Sequence, residues 1–279
     1  MFTCFRLTHY ANRNCRIKVK IAHIRPFFPI LVGLMSVFSK PGQNMNCPVA
    51  AAAKFRQSAP MTNTCERRMM HATSLAQHWN TAYDARDRSD LTWTQTDQAL
   101  GEQLGHMGSL VTPDSACIDI GAGKSQLAAG WVSLGAGHVA VLDVSDAALD
   151  YQRSVLPQTC EFIGASVLDW TATRRYTLWH DRAVFHFLTD PQDQSAYVAQ
   201  MLHALEPGGV AVLSTFDADG PARCSNLPVQ RYSSAQLADV VHRLSNGALV
   251  AQRGYQTQHI TPKSNRQAFQ TTLFHKIAR

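Results

Sequence analysis

Asp119-Ile-Gly-Ala-Gly123 stands between a short apolar run, Ala116-Cys-Ile, and a stretch of helical character. A strand that turns through glycines into a helix offers free backbone N–H groups at the positive end of the helix dipole, where an anionic group is favoured. Without a Cβ, the turn also lets a ligand approach the main chain. Spacing limits which ligand this is. A phosphate loop requires Gly, four residues, then Gly-Lys-Ser/Thr. Counting back from Gly123-Lys124-Ser125 puts Ile118 at the first glycine, which excludes that loop. The dinucleotide pattern Gly-x-Gly-x-x-Gly places Gln126 at its third glycine and fits poorly. A second apolar run, from Gly137, ends on Asp143, 22 residues past Gly121. An acid about 20 residues on is where a Rossmann-type site holds ribose hydroxyls. The alternative for Asp143 is a helix-flanking acid, because Ser145 and Asp146 are capping residue types.

A second concentration of chemistry lies in Tyr176-Thr-Leu-Trp-His-Asp-Arg-Ala-Val-Phe-His-Phe-Leu188. Asp181 is the first candidate for a general base and Arg182 for orienting a substrate, with a structural ion pair between the two as the alternative. His186 is read as packed on a helix face. His259, in Gln-His-Ile-Thr-Pro, is a second and lesser base candidate. The loop 216–232 is long for a strand-to-helix connection, and long ordered loops often serve as lids or substrate loops. In it Arg231, like Arg223, has the chemistry to engage a carboxylate, and Tyr232 that to stack on a substrate. Cys117, Cys160 and Cys224 are widely separated and form no Cys-x-x-Cys pair, so no metal site is expected.

These residues need elements to hold them. The pattern after residue 110 alternates: strand 116–120, helix 124–134, strand 138–143, helix 146–156, strand 160–164, strand 176–181, helix 191–205 and strand 209–215. Such alternation implies an α/β fold with a parallel sheet covered on both faces. The helix over 191–205 carries the fullest signal: Asp190 as cap, Pro191 in the first turn, Tyr197, Met201 and Leu205 at helical spacing, and Pro207-Gly-Gly as terminator. A helix around 95–110 precedes the first strand, and 249–255 with 268–277 offer a closing strand pair.

Asp-x-Gly-x-Gly ending a first strand, Asp143 ending the second, and Leu205-Glu-Pro-Gly-Gly before the fifth together resemble the class I S-adenosylmethionine-dependent methyltransferases. The resemblance covers roughly residues 74–279. It implies a doubly wound, mostly parallel seven-stranded sheet whose last strand is antiparallel, with S-adenosyl-L-methionine as cofactor. The implied cofactor contacts are Asp119, Gly121, Ala122 and Gly123 at the turn, and Asp143 with Val144 at the second strand end. Ser166 and Val167 would lie at the adenine, with Asp169 as the other residue for that contact, and His180 beside the methionine portion. Trp79, Tyr83 and Trp93 also resemble a pattern of protein lysine methyltransferases. The expected reaction is methyl transfer to a small-molecule acceptor. The alternatives are a protein lysine acceptor, an NAD-dependent oxidoreductase and a non-catalytic cofactor-binding module.

The formal charge of +6 suggests a nucleic-acid binder until it is divided along the chain. Residues 1–65 hold nine Lys or Arg and no acid, leaving 17 basic against 20 acidic residues in the remainder. The basicity belongs to the leader, and no nucleic-acid partner is expected. The division expected is a basic, poorly ordered extension over 1–70 and a methyltransferase-like domain over 71–279. The apolar run 27–38 is shorter than the roughly 20 residues that span a bilayer and contains Pro29, so no stable membrane insertion is expected. The leader leaves two localisations open: cytoplasmic, or organelle-targeted if it is a transit peptide. The sequence sets no oligomeric state.

Overall fold

The structure, a computed structural model, describes residues 64–278, with side chains from Ser74 onward. The apolar run 27–38 and most of the basic extension lie outside the described residues. Helix α1 (Thr64–Asp84) already runs before residue 70, and the unit it leads into spans Arg68–Arg279. It is followed by α2 (Asp97–Met107), β1 (Ala116–Ile120), α3 (Leu127–Ser133), β2 (His138–Asp143), α4 (Asp146–Val155), β3 (Glu161–Gly164) and β4 (Tyr176–Arg182). Then come α5 (Pro191–Ala204), β5 (Leu205–Phe216), the short strands β6 (Arg223–Cys224) and β7 (Leu227–Pro228), α6 (Ser234–Leu244), β8 (Leu249–Ile260) and β9 (Arg266–Lys276).

Seven strands form one sheet in the order β3-β2-β1-β4-β5-β9-β8. The first five are parallel, while β9 runs antiparallel to both β5 and β8. The order reverses between β1 and β4, the point in an open α/β sheet where ligands bind. Alternation along β1 fixes its two faces. Ile118 and Ile120 pack with Trp179, Tyr197, Met201 and Leu237 against α5 and α6. Cys117 packs with Leu127, Trp131, Val139 and Leu149 against α3 and α4, and Met107 joins them from α2.

Local chemistry explains where the boundaries moved. The helix expected over 124–134 begins at Leu127, because α4's Gln152 donates to Gly123 O (2.8 Å) and Ser125 O (2.9 Å) and holds the chain in a turn. Strand β5 starts at Leu205 rather than 209: Leu205 pairs with Tyr176, Val210 with Leu178, and the Pro207-Gly208 turn, with φ of 81° at Gly208, bulges between them. Helix α5 is capped by Asp190, which accepts from Gln192 N at 2.8 Å. Helix α6 was not singled out from the sequence, although Ser233 and Gln236 form a capping box at its start.

Candidate functional site

The two turn glycines have different reasons to be glycine. Gly121 (φ 63°) donates to Leu142 O at 2.7 Å, and a Cβ there would run into the Val184 side chain. Gly123 (φ 53°) donates to Asp143 Oδ2 at 2.8 Å, and a Cβ there would run into the Tyr83 hydroxyl. Asp143 also accepts from Ser145 N at 2.9 Å and is 5% exposed. Burial pushes its carboxyl up to about 6, against the lowering effect of those N–H bonds.

At the end of β1, Asp119 Oδ1 lies 2.7 Å from His180 Nδ1. His180 Nε2 lies 2.6 Å from Gln103 Nε2, while Gln103 Oε1 accepts from Gln95 Nε2 at 2.9 Å. Gln103 therefore donates to His180, which places the imidazole proton on Nδ1, toward Asp119. A directed chain of hydrogen bonds runs from the loop before α2 to the end of the central strand.

Over the turn lies a cover from α1 and the loop after it. Trp79, Tyr83, Trp93 and Phe187 stack edge to face or tilted, with ring centres 5.4–6.1 Å apart. Asn80 Oδ1 accepts from Ser145 Oγ (2.7 Å) and Ala147 N (3.3 Å), fastening α1 to the start of α4. Lys124, the residue that gives the turn its phosphate-loop look, donates instead to Tyr83 O and Arg86 O at the end of α1. Between cover and turn is a small cavity of about 60 Å³. That holds a few waters, and a nucleoside cofactor extends well beyond it.

Asp119, Gly121, Ala122, Gly123, His180 and Arg182 line this cavity, together with Tyr83 and Arg88. Asp143 is one layer behind, joined to it through Gly123. Val144, Ser166 and Val167 do not line it; Ser166 Oγ accepts from Leu168 N and Val167 is buried. Gln103, Gln152 and Asn80 carry no motif, and sequence reasoning missed them, as it missed Arg88.

The candidate bases are placed elsewhere. Asp181 is fully buried and accepts from Val184 N (2.8 Å), Phe185 N (2.9 Å) and Tyr197 Oη (2.5 Å) on the α5 face of the sheet. It does not line the cavity and makes no ion pair with Arg182. Burial raises its carboxyl to about 6 despite these donors. His259 Nε2 donates to Thr92 O at 2.7 Å. Tyr232 is 3% exposed and its hydroxyl accepts from Gln194, so it packs in the core rather than stacking on a ligand. Arg231 donates to Gly220 O. His186 is buried, as expected of a packing residue, with its ring against Phe187 and Phe216.

No curated protein matches the chain in sequence. Residues 117–209 match a family model described as a methyltransferase domain. Among solved structures, the fold is similar to 1,6-didemethyltoxoflavin-N1-methyltransferase from Burkholderia thailandensis, bound to its substrate and S-adenosylhomocysteine (TM-score 0.56, 16% identity, 84% of this chain and 94% of that one). It is also similar to magnesium protoporphyrin IX methyltransferase from Synechocystis PCC 6803 with bound S-adenosylhomocysteine (0.55, 14%, 74% and 99%). A third is the N-methyltransferase NodS from Bradyrhizobium japonicum (0.50, 16%, 71% and 98%). The sheet is the doubly wound, Rossmann-like one of these enzymes. Residues 117–209 thus match a methyltransferase domain, within a fold shared with S-adenosylmethionine-dependent methyltransferases.

Among the described residues, no helix is long and apolar enough to cross a membrane, and no three metal-binding side chains gather.

Proposed function

We propose that this chain is an enzyme that transfers the methyl group of S-adenosylmethionine to a small-molecule acceptor. The observation that carries the reading is the cavity at the β1–β4 switch point, whose lining presents both charge signs beside the glycine turn, Asp119 and Arg88. A zwitterionic amino-acid end beside a glycine turn asks for that combination. Asp119, fixed by His180, would take the ammonium group. Gly121, Ala122 and Gly123 would lie along the amino-acid portion, and Arg88, whose Nε already donates to Lys124 O over the turn, would take the carboxylate. Asp143 with Val144 would receive the ribose, and Ser166 with Val167 the adenine. The small-molecule acceptors named for the toxoflavin and magnesium protoporphyrin enzymes support a small acceptor here.

Bound at this site, the cofactor supplies an already activated methyl group on a sulfonium. What remains for the protein is alignment and exclusion of water. The aromatic cover supplies apolar walls, and the hydrogen-bonded chain through Gln103 and His180 holds Asp119 in place.

Calorimetric titration tests the reading. S-adenosylhomocysteine should bind and NAD should not, and Asp143→Ala should weaken binding at least about tenfold. Tight NAD binding without S-adenosylhomocysteine binding would overturn it. Labelled donor offered with metabolite and protein extracts should leave label in the small-molecule fraction.

A further inference from the structure

Arg182 is the last residue of β4, and the chain beyond it is pinned. Asp181 draws Val184 N and Phe185 N to its carboxylate, and Ala183 is held at φ 72°, a conformation few non-glycine residues adopt. The guanidinium reaches into the cavity. One N–H donates to Trp93 O at 3.0 Å, and the guanidinium carbon lies 4.6 Å from the Phe269 ring centre. No carboxylate of the described residues lies within 4.0 Å of it. Burial lowers its pKa to about 10, which leaves it charged at neutral pH. The nearby Cys224 thiol is pushed up to about 11 by burial and stays neutral, so it is no counter-ion. Behind it, His186 receives Phe216 N on Nδ1 and therefore carries its proton on Nε2, which is buried without a protein acceptor. Asp119 bears on the guanidinium electrostatically but is not in contact with it and is bonded to His180, so a desolvated cation and a second donor stand together without an anion in contact, an arrangement that costs stability unless a ligand meets it.

Among the described residues of this region, the candidate bases are all engaged. Asp181 is saturated by three donors on the other face of the sheet, His259 is turned to Thr92 O, and Asp119 and His180 are bonded to each other. An acceptor that reached the site protonated would have nowhere to send its proton.

We propose that the acceptor is delivered to this site as an oxyanion, a carboxylate or a comparably acidic hydroxyl, with Arg182 holding its charge beside the methyl donor. This rests on the methyltransferase reading above. The step then balances without a base. A lone pair of the acceptor oxygen forms the bond to the methyl carbon, the carbon–sulfur bond breaks with its pair going to sulfur, and the negative and positive charges cancel to give a neutral methylated product and a thioether. Arg182 is a specificity-determining residue in this scheme, and the aromatic cover selects a flat, apolar frame behind the charged group.

The test uses the full chain saturated with S-adenosylhomocysteine, titrated by ligand-observed NMR with benzoate and acetate against their neutral isosteres benzamide and acetamide. The wild type should prefer a carboxylate over its amide by about tenfold or more; Arg182→Gln should reduce the preference below about threefold, and Arg182→Lys should restore part of it. All three proteins should bind S-adenosylhomocysteine within about threefold of one another, which also shows that the variants are folded. Equal binding of acid and amide, no carboxylate binding, or a preference that survives Arg182→Gln overturns the proposal. Loss of S-adenosylhomocysteine affinity in Arg182→Gln overturns it too, by assigning the guanidinium to the cofactor while leaving the methyltransferase reading intact. Failure of the wild type to bind S-adenosylhomocysteine removes both.

Discussion

Gln152 reaches from α4 to the carbonyls of Gly123 and Ser125, so the glycine turn is held from outside as much as by its own φ angles. Replacing Gln152 with Leu strands one buried and one partly buried acceptor. We expect a loss on the order of 2 kcal/mol, seen calorimetrically as a fall in Tm of about 4–8 °C. Asp143 sets a pH dependence. Its carboxyl, raised to about 6 mainly by burial, is charged at pH 7.5 and neutral at pH 5, and only the charged form keeps both oxygens as acceptors for a diol. S-adenosylhomocysteine affinity should therefore weaken as pH falls through 6, and Asp143→Asn should flatten that part of the profile. Asp143 itself was legible from spacing, because a strand end and a glycine turn are local signals. Arg182 and Asp181 were legible only as a pair. Neighbours on a strand face opposite ways, and the pairing of β4 between β1 and β5 decides that His180 and Arg182 share the cavity with Asp119 while Asp181 turns to Tyr197.

Among elements, α1 acts as part of the site rather than as an attachment to it. Asn80 ties it to the N-terminus of α4, and Trp79 and Tyr83 lie on the turn side. Asn80→Ala should cost about 1 kcal/mol. Hydrogen exchange should quicken over residues 74–84 while the β1, β4 and β5 amides keep their protection. The alternation of strands and helices was readable because apolar period and capping residues belong to each segment by itself; Asp190-Pro191 and Pro207-Gly-Gly mark α5 on their own. The cover was legible only as a resemblance carried by Trp79, Tyr83 and Trp93; that they stack at 5.6–6.1 Å over a glycine depends on the fold. Helix α6 shows the reverse case: its capping box was present in the sequence and went unread.

At the scale of the whole molecule, the unit from Arg68 onward contains every residue assigned to the site. Among the described side chains of α1, those from Ser74 onward, the contacts with the site are made by His78, Trp79, Asn80 and Tyr83. A chain that begins at Met69 should consequently bind S-adenosylhomocysteine within about threefold of the full chain, as calorimetry would show; loss of folding would extend the domain toward the N-terminus. The central strands are buried between two helical layers, whereas the cover is fastened at separate points: its ring contacts, Asn80, and the donations of Lys124, Arg182 and His259 to its backbone.

That asymmetry has a kinetic face. The Tyr83 hydroxyl occupies the space a side chain at position 123 would need, directly over the glycine turn. A spent donor lodged beneath it leaves only when the aromatic lid swings aside, so residence time rather than bond-making should limit steady turnover. Rapid-quench experiments should then show a burst of one methylated product per active site followed by a slower linear phase. Tyr83→Ala should erase the burst by hastening release.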